Sequence, residues 1–211
     1  MHSGFNEAII SKSEYQNYWH QAIDYTSYKA KMAQDLITQP DVDRKAYISI
    51  NTQRMHRVEK TYQMGEAIVT QLKALRHRSF WLILSEHWCG DSSQVLPVFN
   101  AIAAASAANI DLKLLYRDEQ PALMNAFLTN DTRSIPKLIQ LNEHWNVTGI
   151  WGPRPSVAQK LVKELKSNPL TAANYNHDLH LWYARDKQQA IESEVLKLLI
   201  KANLFCPDCL S

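Results

Sequence analysis

The stretch Phe80–Pro97, FWLILSEHWCGDSSQVLP, constrains the fold more than any other part of the chain. Phe80-Trp81-Leu82-Ile83-Leu84 is an apolar run with the length of a short buried strand. A polar turn follows, carrying Trp88 and then Cys89, the only cysteine in the first 200 residues. Asp91, Ser92 and Ser93 are helix-start residues, whose oxygens can take the free backbone N–H groups of a first turn. Val95, Val98, Phe99 and Ile102 continue the helix at helical period. One cysteine therefore sits where a strand ends and a helix begins. The unpaired N–H groups and the helix dipole favour negative charge there, and can bring a thiol pKa from ~8.5 into the range ~3.5–7.5. Asp91 works the other way, so the expectation is a modest depression.

The rest of the chain reads as helices and short strands arranged around this unit. Ser13 is a candidate cap for a helix over 13–37, with Tyr15, Tyr18, Trp19, Ala22, Ile23, Met32 and Leu36 at helical spacing. Gln39-Pro40-Asp41 breaks it, because proline cannot continue a helix. A second long helix spans about 43–76, with Met55, Val58, Tyr62 and Val69 as its buried stripe. Arg54, Arg57 and Lys60 cluster on another part of its surface, either as a solvated face or as a group that approaches Cys89. Strands follow over 110–116, 137–141 and 145–151, with helices over about 118–129 and 156–166, the latter with Val157, Leu161, Val162 and Leu165 as its apolar face. Residues 167–177 are loop-like, and a last helix covers 178–203 with Leu181, Trp182, Ile191, Val195, Leu198 and Leu199.

Several residues here resemble the thioredoxin superfamily. Trp88-Cys89-Gly90-Asp91-Ser92 is similar to that family's Trp-Cys-Gly-x-Cys active site, with serine in place of the second cysteine. Pro97 falls where the family kinks its active-site helix, and Ser134-Ile135-Pro136-Lys137-Leu138 resembles the loop bearing a cis-proline opposite the reactive cysteine. Gly152 matches the glycine that closes the last strand. The resemblance implies an α/β thioredoxin fold, a mixed four-stranded sheet flanked by helices. It adds an N-terminal two-helix extension (1–77) to the core (78–166), and a long C-terminal helix with its CPDC tail (167–211) packed on that core. NTQRMHRVEKTY also resembles a stretch that precedes the domain in one bacterial branch of the superfamily. Two departures bear on chemistry: Ser92 replaces the resolving cysteine, and Ile83 replaces the buried acid of many members.

The resemblance implies a thiol-disulfide redox protein working through a single cysteine. Cys89 would be the nucleophile, Ser92 would hydrogen-bond its thiolate, and Trp88, Gly90, Ile135 and Pro136 would form the substrate surface. A mixed disulfide on Cys89 then needs a second thiol: glutathione as co-substrate, or the tail C-x-x-C of Cys206 and Cys209, which is either that resolving pair, half of a zinc site or an exposed dithiol without a defined role. The competing expectation is a non-catalytic thioredoxin-fold module that binds a peptide or protein partner in the same groove. His87, two residues before Cys89, is either a proton carrier or a loop histidine without a role. His144, His177 and His180 show no metal-ligand spacing, and the expectation is no metal and no bound cofactor. A net charge of +2 calls for neither nucleic acid nor an anionic membrane, and no apolar run reaches the ~18 residues of a membrane span. Three cysteines suit a reducing compartment, so a soluble, cytoplasmic protein acting on protein or small-molecule thiols and disulfides is expected.

Overall fold

The computed structural model describes residues 10–204, so Cys206 and Cys209 lie outside the described residues. A four-stranded sheet, ordered β2-β1-β3-β4, is built from β1 (Ser79–Ser85), β2 (Ile110–Tyr116), β3 (Lys137–Asn142) and β4 (Val147–Trp151). β1 runs parallel to β2 through the crossover helix α5 (Gly90–Ala105), and antiparallel to β3, which forms a hairpin with β4. Side chains alternate across the sheet. Trp81 and Ile83 enter one apolar layer with Val95, Phe99 and Ile102, while Leu82 and Leu84 enter the other with Leu115, Ile139 and Leu141. Burial on both faces is why this central strand reads as an unbroken apolar run.

Helices cover both layers. On one side lie α2 (Tyr25–Thr38), α3 (Val42–Thr61), α4 (Glu66–Lys73), α7 (Ser156–Ser167), α8 (Tyr175–Asp186) and α9 (Gln189–Leu204). They bury Met55, Ile68, Tyr183, Ile191 and Leu199 with the α5 stripe. On the other side, α1 (Lys12–Gln21) and the short α6 (Pro121–Ala126) place Tyr15, Leu123 and Met124 over Leu82 and Leu84. Among the described residues no helix is long and apolar enough to cross a membrane.

Each of the three long helices expected from periodicity is broken. Between α1 and α2 the chain becomes extended, and Ile23 exchanges backbone hydrogen bonds of 2.9 and 2.7 Å with Leu114, adding one bridge to the free edge of β2. Asp24 then caps α2 through Ser27 N (2.7 Å). The N-terminal cap of α1 is Ser11, in a capping box with Glu14, rather than Ser13. α3 and α4 are separated at Tyr62–Gly65, where Tyr62 Oη and Gly65 N both donate to Glu192 of α9. α8 and α9 part at Lys187 and Gln188, which take φ of +51° and +65°. Within each shorter helix the apolar residues keep helical spacing, so the period alone does not report the breaks. Val69, Val157 and Leu181, expected to be inward, face solvent. In α4, Ile68 and Leu72 are buried instead.

Candidate functional site

Cys89 is itself the N-cap residue of α5, with no side-chain capping hydrogen bond. The three expected capping residues are engaged elsewhere. Asp91 accepts from Arg154 Nε (3.1 Å to each oxygen) and Nη2 and from Tyr183 Oη (2.7 Å), so its carboxylate turns toward α8 rather than onto the backbone. Ser93 donates to the Gly90 carbonyl (2.6 Å). Ser92 Oγ accepts from Ser85 Oγ (2.8 Å), which is itself 3.0 Å from Tyr28 Oη. Ile83 is fully buried in the apolar layer, and the buried carboxylate beside the cysteine is Asp91.

Cys89 Sγ donates to the carbonyl oxygen of Ile135 at 3.3 Å, across the gap between α5 and the loop before β3. The Ile135–Pro136 bond is cis. Gly152 passes close behind at φ +118°, where a Cβ would overlap the Pro136 carbonyl oxygen. Only glycine fits that approach. Cys89 is 7% exposed. Burial, and next the Asp91 carboxylate, push its thiol up to about 11. The Ser92 hydroxyl and the N–H groups of Ser92 and Asp91 act in the opposite direction without offsetting this. The expectation of a depressed thiol pKa is therefore overturned: desolvation of a thiolate outweighs the helix N-terminus.

A cleft of about 530 Å³ opens over the cysteine and brings together Trp88, Cys89, Gly90 and Ile135. Ser92 and Pro136 are buried beside it and do not line it. Arg54 does line it, and Arg57 donates to Gln94 of α5 (2.9 Å), whereas Lys60 is exposed. Arg117, Arg133 and Arg154 also line the cleft and were not singled out from the sequence. Their signal was positional: Arg133 directly precedes Ser134-Ile135-Pro136, and Arg154 follows Gly152-Pro153. Tyr183 meets Asp91 across 92 residues and has no local signal at all.

His87 is neither free nor in the cleft. It is 4% exposed, its Nδ1 donates to Asp35 (2.6 Å), and its Nε2 accepts from Tyr116 Oη (3.0 Å). It belongs to a second groove, on the far side of Trp88, and burial lowers its pKa despite Asp35. His180 of α8 packs against α5, and burial, followed by Arg54, Arg57 and Arg154, brings its pKa down to about 3. Among the described residues no group of three or more His, Cys, Asp or Glu is gathered where it could hold a metal.

The strand order, the cysteine at the start of α5 and the facing cis-proline loop agree with a family model described as Thioredoxin, which matches residues 39–166. The chain belongs to the thioredoxin family. No curated protein matches it. Among solved structures, a protein of unknown function from Pseudomonas aeruginosa is 17% identical, with a TM-score of 0.59 over 89% of this chain and 98% of that one. An HIV epitope-scaffold protein is also 17% identical, with a TM-score of 0.57 over 88% of this chain and 96% of that one. At such identity these likenesses concern the fold, including the helices outside the thioredoxin core.

Proposed function

We propose that this chain is a thioredoxin-fold binding protein, whose cleft at Cys89 seats a partner against the Ile135 loop without turning over disulfides. The observation that carries this reading is the buried Cys89 thiol, which donates to the Ile135 carbonyl beside the Asp91 carboxylate. With its pKa near 11, only roughly one molecule in 10⁴ carries the thiolate at neutral pH. No second cysteine follows on α5, where Ser92 stands in its place. The test is the pH dependence of Cys89 alkylation in a Cys206→Ser, Cys209→Ser variant. Half-maximal reactivity above pH 10 is expected. A midpoint below pH 8 would overturn the binding reading in favour of exchange.

A second reading, slow single-thiol exchange, is favoured by the position of Cys89 opposite the cis-proline loop. In it the Cys89 thiolate attacks a partner disulfide, one S–S bond breaks as another forms, and the departing thiolate takes up a proton. Release then requires a second thiol, for which glutathione is the co-substrate class. Incubation of the same variant with oxidised glutathione, followed by mass measurement, tests it. A glutathione adduct on Cys89, removed by reduced glutathione, would support exchange.

A further inference from the structure

The cleft over Cys89 holds positive charge that the fold does not neutralise. Four arginines line it against one carboxylate, Asp91, which Arg154 and Tyr183 already occupy. Arg117 is paired with Asp118. Arg54 and Arg133 form no ion pair among the described residues: Arg54 Nη1 donates to Asn51 Oδ1 (3.0 Å) and Arg133 Nε to Asn125 Oδ1 (2.9 Å). Arg54 is half-buried with Arg57 one turn away; burial and Arg57 weigh against its charge, while the Asp91 carboxylate, already held by Arg154 and Tyr183, supports it. A part-buried guanidinium among neutral acceptors is costly unless an anion joins it.

Behind Gly90, α3, α5 and α8 are joined by a chain of polar contacts. Arg57 Nη2 donates to Gln94 Oε1 at 2.9 Å, which orients the Gln94 amide so that its Nε2 faces His180 Nδ1 at 3.1 Å. His180 Nδ1 must then accept, so the neutral ring carries its proton on Nε2. That Nε2 is buried and has no hydrogen-bond partner. A Cβ on Gly90 would stand 2.7 Å from His180 Nε2 and 3.4 Å from Arg54 Nη1, so His180 packs behind Gly90 while Arg54 lines the cleft.

The positive track continues beyond the cleft. An adjoining groove of about 900 Å³ shares Thr132, Ser134 and Arg154 with it, and runs along α7 past Lys160, Lys163 and Lys166 with no carboxylate in its lining, although Lys160 lies 3.9 Å from Glu164 one turn on. Those lysines alone span roughly 9 Å of helix. The groove on the other side of Trp88 has the opposite character, with Asp35, Glu86, Asp118 and Glu119 against Lys31 and Arg44. The chain as a whole carries only +2, so the positive charge is local to one side of Trp88.

We infer that the partner is an extended acidic polypeptide segment. It lies along Ser134–Ile135, with carboxylates reaching Arg54 at one end and the α7 lysines at the other. This rests on the binding reading and adds to it the chemistry and length of the ligand. The experiment uses the full chain under reducing conditions and ten-residue fluorescein-labelled peptides without cysteine. They carry four glutamates, four glutamines or four lysines at the same positions, and binding is read by anisotropy at low and high salt. The glutamate peptide is expected to bind at least tenfold more tightly than the glutamine peptide, an advantage that shrinks at high salt. Lys160→Glu with Lys163→Glu, both exposed, should weaken it at least fivefold with an unchanged thermal midpoint. Equal binding of the glutamate and glutamine peptides would overturn the inference and leave the binding reading standing. Displacement by glutathione at concentrations comparable to the peptide would confine the ligand to the cleft and overturn the extended form. Binding of no peptide of any charge would remove the binding reading together with this one.

Discussion

Cys89 is acted on by neighbours that pull in opposite directions. The N–H groups of Asp91 and Ser92 and the Ser92 hydroxyl favour a thiolate, while burial and the Asp91 carboxylate oppose it. Asp91 is held by Arg154 and Tyr183, so its carboxyl group is fixed in place beside the thiol. Asp91→Asn should move the alkylation midpoint of Cys89 to lower pH. It should also cost about 3 kcal/mol of stability, because Arg154, 16% exposed at its side chain, loses its counter-charge. The alkylation profile and a urea melt of the same variant check both halves. An unchanged alkylation midpoint would show that burial acts alone. The position of Cys89 at a strand-to-helix turn was legible in the sequence because it depends only on local pattern. Its protonation was not, since the residues that bury it, among them Tyr15, Leu123 and Ile135, and the Arg154 and Tyr183 side chains that fix Asp91 all lie far away in the chain.

At the scale of elements, the fit between β4 and the loop before β3 is the tightest constraint on the cleft. Gly152 adopts φ +118° and leaves no room for a side chain beside the Pro136 carbonyl. Gly152→Ala meets both the wrong backbone region and a backbone atom that cannot step aside. A loss of about 3 kcal/mol or more in a urea melt is expected, at the far end of single-substitution effects. A loss under about 1 kcal/mol would mean that the loop relaxes freely. The order of strands and the helix after Cys89 were readable from apolar runs and turn residues. The helix breaks at Ile23, Tyr62–Gly65 and Lys187–Gln188 were not. Each is stabilised by a distant partner, Leu114 for the first and Glu192 for the second, or by left-handed residues that carry no glycine signal.

Across the whole molecule, two histidines, His87 buried and His180 half-buried, help tie the helices outside the core to it. His87 ties the turn before Cys89 to Asp35 of α2, with its carbonyl accepting from Asn51 of α3 (3.1 Å). His180 ties α8 to Gln94 of α5 and faces Arg54, Arg57 and Arg154, with His177 on its own helix. Both are held below their ordinary pKa, His180 at about 3, so acid must charge them against burial. The unfolded chain takes up these protons first, near pH 6.5. Their contribution to stability is therefore complete above about pH 6.5 and is lost as pH falls toward the folded value. Glu86 and Asp186, raised by burial, act in the opposite sense and offset part of the loss below about pH 5. The urea midpoint should fall between pH 7 and pH 4. His180→Gln, which keeps a donor and an acceptor against Gln94, should flatten that fall, because His180 has three arginines and no carboxylate among the groups that shift it, whereas His87 has Asp35. The same decline in the variant as in the natural chain would mean that acid enters through His87 and the α2 seam instead.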